Sequence, residues 1–199
     1  MTRPFTWFFW ITSVLVAVSS WRILVTPMAE TMEVMLHYLP EARLAFVAHM
    51  VGGPLALLLA PFQLWQGLRR RRPALHRWTG RVYGVAILVG GMGSLALLPR
   101  FEGSAFAQAG FAVLAVLWVG VTALGIARAR AGDLAAHRRW MLRSVALTFA
   151  AVTLRLIMVP LMAAGWSVTE TYQVTAWGSW LLNLMVLELW QSRRALRLA

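Results

Sequence analysis

The sequence of 199 residues contains no cysteine. Disulfide bonds, thiolate catalysis and cysteine-ligated metal or iron–sulfur centres are therefore excluded. Charge is also scarce, because charged residues make up 13% of the chain, whereas a soluble domain carries about a quarter. The chain also lacks a Ser-His-Asp set, a phosphate-binding Walker loop and a zinc-protease motif. Ordinary soluble hydrolase or nucleotide chemistry is therefore not supported.

Apolar residues dominate what is present: 60% of the chain is hydrophobic and its mean hydropathy is +0.67. A transmembrane helix needs roughly 20 predominantly apolar residues to cross a hydrocarbon core of ~30 Å. We therefore predict an all-α, polytopic integral membrane helix bundle, a single transmembrane domain over 1–199. Its six transmembrane helices are expected at about 5–26, 44–68, 75–98, 105–127, 137–162 and 172–190. A short amphipathic helix from Ala29 to Leu39 is expected on the outer membrane surface.

The basic residues predict the orientation. All 19 are arginine, and the net charge is +12. In a soluble protein this charge would indicate nucleic-acid binding, but its placement favours anionic lipid headgroups as the partner and no nucleic acid. The positive-inside rule puts the arginine-rich loops and both termini in the cytoplasm of a multi-pass bacterial inner-membrane protein. The arginines gather in every second loop and in the C-terminal tail: Arg69 to Arg72, Arg77 and Arg81; Arg128, Arg130, Arg138, Arg139 and Arg143; Arg193, Arg194 and Arg197.

Two related motifs follow arginine-rich turns. The first is His76-Arg-Trp-Thr-Gly-Arg-Val-Tyr-Gly84, and the second begins His137-Arg-Arg-Trp-Met-Leu-Arg-Ser and runs to Arg155. On these motifs, from about His49 to Pro160, the chain resembles domain of unknown function 2306 (DUF2306), uncharacterised bacterial polytopic membrane proteins. The resemblance implies a membrane helix fold and highlights His49, His76, His137 and Arg155 without naming a reaction. The motifs also indicate a weak internal repeat of two hairpins, helices 2–3 and helices 4–5.

His76 and His137 are candidate ligands of a cofactor. Each opens a predicted helix on the cytoplasmic side, at matched depth, beside arginines that would neutralise propionates. This pattern predicts a b-type haem whose iron is held by His76 and His137, and it loosely resembles the pairing in b561-type cytochromes. The alternative is an interfacial role without a cofactor, in which the histidines bind lipid phosphate or cap a neighbouring helix.

His49 introduces a second candidate site, because the Gly-Gly-Pro sequence 52–54 follows it directly. Such interruptions free backbone carbonyls, which are tolerated at membrane depth only against protein or a polar cavity. A small-residue groove on one face of helix 2 would fit a flat ligand such as a quinone or a haem edge. Equally, the groove could receive another helix, with His49 bonding a carbonyl freed by Pro54. The face comprises His49, Gly53, Ala56, Ala60 and Gln63.

Helix 5 carries a polar seam of five residues at helical spacing, His137, Ser144, Thr148, Ala151 and Arg155. Its outer end, Arg155, is expected at the depth of Arg22 and His49. The three residues predict one outer site for an anion or a quinone. The alternative is a structural ion-pair network with the outer acids Glu30, Glu33, Glu41 or Glu170.

Two function classes follow from these sites. The first is a membrane redox protein that binds b-type haem, quinone or both, in electron or proton transfer at the inner membrane. The second is a non-catalytic membrane component, either a small transporter or an accessory or assembly subunit with other membrane subunits as partners. The sequence does not decide whether the protein is an enzyme.

Overall fold

The computed structural model describes residues 3–24, 26–27 and 33–196, and every regular element in that part of the chain is helical. The chain divides into two compact units, residues 1–101 and 102–199. Each unit contains three long helical segments, so the predicted all-α fold is confirmed.

In unit 1 the central helix packs against the other two long helices. The arginine-rich turn between its last two long helices contains a short helix of its own. The elements are α1 (Arg3–Ser20), a 3-10 turn (Trp21–Leu24), a second 3-10 turn (Glu33–Met35), α2 (Tyr38–Leu64), α3 (Gln66–Arg71), α4 (Pro73–Leu97) and a closing 3-10 turn (Leu98–Arg100).

In unit 2 the three long segments all pack against one another. The middle segment is interrupted at Phe149, which divides it into two helices. The elements are α5 (Ala105–Arg130), α6 (Leu134–Thr148), α7 (Ala150–Ala163) and α8 (Val168–Leu196).

Four segments are long and apolar enough to cross a membrane, Tyr38–Leu64, Pro73–Arg100, Ala105–Arg130 and Leu134–Ala163. The distribution of polarity agrees with this assignment. Large apolar side chains point outward along α4, including Val85, Leu88 and Met92, while Ser144 and Thr122 of unit 2 are almost fully buried. Apolar surface of this extent suits lipid, which makes the chain an integral membrane protein.

The boundaries of the second helix differ from the prediction of 44–68. A first helical stretch begins at Tyr38, which is buried and stacks on Phe46 with ring centroids 6.2 Å apart, but the backbone at Ala42 is non-helical (φ −135°, ψ 28°), so the uninterrupted helix begins just after it, next to the predicted start. It ends at Leu64, because Trp65 is extended, and the arginine-rich end of the predicted helix is the separate α3.

The predicted surface helix from Ala29 to Leu39 falls partly outside the described residues, at positions 28–32. Within the described part, Glu33–Met35 is a 3-10 turn and Tyr38 already begins α2. The stretch that looked amphipathic therefore splits between a turn and the first residues of a spanning helix.

Side-chain caps begin α6 and α8. Asp133 accepts from the backbone N–H of Ala136 at 2.9 Å, which is the N-cap that its position indicates. At α8, Ser167 Oγ accepts from the N–H of Glu170, and Glu170 accepts from the N–H and the hydroxyl of Ser167. This reciprocal arrangement is a capping box.

Candidate functional site

The helices α2 and α4 approach until their backbones touch. A Cβ atom added to Gly52 would lie 2.6 Å from both the carbonyl oxygen of Ala86 and the backbone nitrogen of Gly90. One added to Gly93 would lie 2.7 Å from the carbonyl oxygen of Ala45. Only glycine permits this approach, which maximises van der Waals contact in lipid.

This packing fills the predicted groove of α2 with a helix. Ala56 and Ala60 on the groove face have no exposed surface. At the inner end of the face, the Gln63 amide donates to Thr79 Oγ1 of α4 at 2.8 Å. Of the two alternatives for the groove, the structure therefore shows the one in which it receives a neighbouring helix.

His49 lies beside this contact, partly exposed, with Nδ1 3.1 Å from the carbonyl oxygen of Gly90. A carbonyl only accepts, so Nδ1 carries the proton. The prediction that His49 bonds a carbonyl freed by Pro54 is wrong. That carbonyl belongs to Met50, and it accepts from Trp21 Nε1 at 3.2 Å.

Arg22 follows Trp21 at the end of α1, and its side chain is exposed. Its carbonyl oxygen accepts from the backbone N–H and the hydroxyl of Thr26, at 2.9 and 2.7 Å. Because Trp21 donates to the Met50 carbonyl, the 3-10 turn that contains Arg22 contacts α2 in unit 1.

His76 lies in the first turn of α4, where its backbone N–H donates to the Arg72 carbonyl at 3.1 Å. Its side chain is partly exposed, and its carbonyl accepts from the hydroxyl of Thr79 at 3.2 Å. One turn later, the guanidinium carbon of Arg81 lies 5.0 Å from the ring centroid of Trp78. This is a cation–π pair at the start of the helix.

His137 lies in the first turn of α6, in unit 2. Its Nδ1 is 2.8 Å from the carbonyl oxygen of Gly125 in α5, so Nδ1 is again the protonated nitrogen. In the neutral ring Nε2 then carries the lone pair. His76 and His137 occupy corresponding positions in separate units, each in the first turn of the second helix of a hairpin.

The predicted seam of helix 5 is buried, and its middle bonds α5. Ser144 and Thr122 share a hydrogen bond of 2.7 Å between their hydroxyls, and Trp118 Nε1 donates to Thr148 Oγ1 at 2.8 Å. The four side chains are at most 8% exposed, so these bonds form inside the unit. The seam therefore joins helices along its inner half.

Arg155, at the outer end of the seam, is partly buried, and its Nη1 donates to the Ala151 carbonyl at 2.8 Å. Two of the acids predicted to neutralise the outer arginines have other partners. Glu41 pairs with Arg100 at 2.9 Å, and Glu170 belongs to the cap of α8. Glu33 is exposed, and Glu30 lies outside the described residues.

Sequence reasoning did not find the partners of two polar groups of unit 2, and its expectation that Glu188 pairs with the arginine tail beside Arg193 is wrong. Glu188 of α8 accepts two bonds from Arg143 of α6, at 2.7 and 3.0 Å, and Arg143 also lies 5.0 Å from the Trp140 ring centroid. Asn183 donates to the Ala146 carbonyl at 3.0 Å and accepts from Thr153 at 2.8 Å. The only signal in the sequence is a polar residue inside an apolar helix, which does not name its partner.

Taken together, helices of membrane-spanning length, outward apolar faces and polar contacts between helices define a polytopic α-helical membrane protein. Residues 46–191 match the family model described as "Predicted membrane protein (DUF2306)". The chain belongs to this family, as the two His-Arg motifs indicated. No curated protein and no solved structure matches the chain.

Proposed function

We propose that the chain is a bacterial inner-membrane protein with six transmembrane helices, three from each unit, and with both termini in the cytoplasm. Besides the four long apolar segments, α1 contributes 18 residues, or about 27 Å, and continues into a 3-10 turn. Helix α8 has 29 residues, or about 43 Å. Both lengths suffice for a hydrocarbon core of ~30 Å once the 3-10 turn is added to α1.

We further propose that this protein takes part in membrane redox chemistry, in which His137 would hold the iron of a b-type haem. The observation that carries this proposal is the 2.8 Å contact between His137 Nδ1 and the Gly125 carbonyl. Metal-binding histidines usually donate their other ring N–H to a carbonyl or carboxylate, which fixes the tautomer and raises the basicity of the ligating nitrogen. The hydrogen bond from His137 to Gly125 is this arrangement.

The neighbouring residues suit the same role. Arg138 and Arg139 follow His137 and are exposed, so they are available for the carboxylates of an anionic cofactor. Haem, when bound, supplies one-electron transfer. The chain contributes the orientation of the His137 ring, set by Gly125, and positive charge at the cytoplasmic end of α6. The sequence predicts His76 of unit 1 as the other residue that would hold the iron.

The experiment is an absorption spectrum of protein purified in detergent after expression with ample haem. We expect a Soret band that disappears in His137→Ala and in His76→Ala. His37→Ala is the matched control and should keep the band. A colourless wild-type protein, or a band that survives in His137→Ala, would contradict the proposal.

A second function, a non-catalytic transporter or accessory subunit, is favoured by a different observation. The hydroxyls of Ser144, Thr122 and Thr148 are all engaged in hydrogen bonds within unit 2, which is what a purely structural seam requires. A colourless protein would make this function the leading one.

Quinone or anion binding by the outer residues Arg22, His49 and Arg155 is proposed separately. A thermal-shift series with quinone analogues and small anions tests it. Ligand-induced stabilisation that is lost in both Arg22→Gln and Arg155→Gln would support a shared ligand. If no compound raises the melting temperature of the wild-type protein, the three residues are structural.

A further inference from the structure

We propose that Arg77, Trp78 and Arg81 of unit 1 form a binding site for the phosphate of an anionic phospholipid in the cytoplasmic leaflet. This inference rests on the proposed topology, which puts the turn between α2 and α4 at the cytoplasmic face. It is independent of any haem.

The position follows from which side chains of α4 are exposed. Val82, Val85 and Met92 form an outward apolar stripe along the helix. Trp78 is 62% exposed and stands at the inner end of this stripe, and Arg81 stacks against it. Tryptophan prefers the level of the lipid headgroups. The stacked guanidinium therefore lies where phosphates lie, on a face turned to lipid.

The positive charge around Trp78 and Arg81 has no acidic residue near it in the sequence of unit 1. Six arginines, at 69–72, 77 and 81, occupy the turn and the start of α4, and residues 42–101 contain no Asp or Glu. Glu33 precedes α2, and Glu41 in its first turn lies about 35 Å along the helix from Leu64, where the turn begins. Arg77 and Arg81 are one helical turn apart, so an anion that contacts both relieves their repulsion.

Unit 2 contains the same Trp-x-x-Arg spacing with a different outcome. Arg143 stacks on Trp140 at the same 5.0 Å, but both of its bonds go to Glu188, and its side chain is 27% exposed. Its charge is therefore met inside the unit. Arg81 stacks in the same way, but its surroundings leave the forked N–H groups for an external oxyanion such as a phosphate diester.

Native mass spectrometry of detergent-purified protein, titrated with phosphatidylglycerol or phosphatidylcholine, tests this site. We expect the first phosphatidylglycerol to bind more tightly than phosphatidylcholine, and Arg77→Gln/Arg81→Gln to weaken it by about tenfold, as for loss of a charged hydrogen bond. The charge-matched control, Arg138→Gln/Arg139→Gln, should change the affinity by less than about twofold. A melting curve without added lipid verifies that each variant is folded.

Three outcomes overturn the proposal. Equal losses in both double variants would mean diffuse attraction to the total charge. Equal binding of the two lipids would remove the requirement for an anion. Complete competition by inorganic phosphate at the same concentration would make the ligand free phosphate and not a lipid. If only the proposed topology is wrong, the labelling of single cysteines in intact cells will differ from the expected pattern. The preference for phosphatidylglycerol over phosphatidylcholine will then be unchanged.

Discussion

The hairpin of α2 and α4 in unit 1 and the hairpin of α5 and α6 in unit 2 follow the same motif, yet they are held together differently. In unit 1 the contact is made by backbone at Gly52 and Gly90, together with hydrogen bonds from Gln63 to Thr79 and from His49 to Gly90. In unit 2 it is made by hydrogen bonds, from Trp118 to Thr148 and from His137 to Gly125. Helices in lipid have no hydrophobic driving force for association, so they associate through close van der Waals packing and interhelical hydrogen bonds. The hairpin of unit 1 combines the two, whereas hydrogen bonds join the hairpin of unit 2.

The two copies of Trp-x-x-Arg differ in how the charge of the arginine is neutralised. Both arginines stack on their tryptophans at 5.0 Å, but only Arg143 has an acid, Glu188, positioned to accept from it. A repeated motif therefore does not imply a repeated role. The neighbouring helix decides whether the charge is neutralised within the unit.

The largest effect is expected where backbones touch. Gly52→Ala forces a methyl group to within 2.6 Å of backbone atoms that cannot rotate away. The helices must separate, at a cost of about 3 kcal/mol, which lowers the melting temperature by roughly 6–12 °C. Gly120→Ala in α5 is the matched control, because nothing lies within 4 Å of its added Cβ. Equal melting temperatures for the two variants would refute the glycine account of unit 1.

An intermediate effect is expected from the ion pair of unit 2. Glu188→Gln leaves Arg143 without its carboxylate, and the side chains are 27% and 46% exposed, so solvent and headgroups screen part of the loss. We expect a destabilisation of about 1 kcal/mol. A double-mutant cycle with Arg143→Gln measures the coupling by thermal melting. A coupling energy of zero would show that the pair contributes nothing.

Whether a feature of this fold could be predicted depends on how far apart in sequence the residues that determine it lie. Features determined by neighbours in sequence were predicted, including the helical segments and the seam at Ser144 and Thr148. Partners across helices were not, because Arg143 and Glu188 are 45 residues apart and the sequence does not say which faces meet. The end of α2 at Leu64 was also missed, since an apolar Trp65 gives no signal of an extended backbone.

A smaller effect is expected from the buried hydrogen bonds of unit 2. Trp118→Phe removes the indole N–H that Thr148 accepts and keeps most of the ring packing. Interhelix hydrogen bonds in membrane proteins average about 0.6 kcal/mol, so the melting temperature should fall by roughly 2 °C. Trp166→Phe, at an exposed position, should not change it. A fall as large as that of Gly52→Ala would remove the distinction between the two hairpins.

The smallest effect concerns Glu170, outside the predicted span. Bonds from the backbone N–H and the hydroxyl of Ser167 lower the pKa of this carboxyl below its ordinary 4.5. Stability from the charged cap is therefore fully present above pH 4.5 and is lost as pH falls through the lowered pKa. The melting temperature of wild type should exceed that of Glu170→Gln at pH 7, and the difference should shrink in acid. A difference that grows on acidification would have the wrong sign.

The most direct test of the membrane account is cysteine accessibility, which the absence of native cysteine makes unambiguous. Single cysteines are introduced at Ala74 and Ala131, beside the arginine-rich turns, and at Gly103 and Thr169, at the opposite ends of the hairpins. Intact cells are then treated with a membrane-impermeant thiol reagent. Six spans with cytoplasmic termini predict labelling at Gly103 and Thr169 and protection at Ala74 and Ala131 until the cells are opened. Labelling of Ala74 or Ala131 in intact cells would contradict the account.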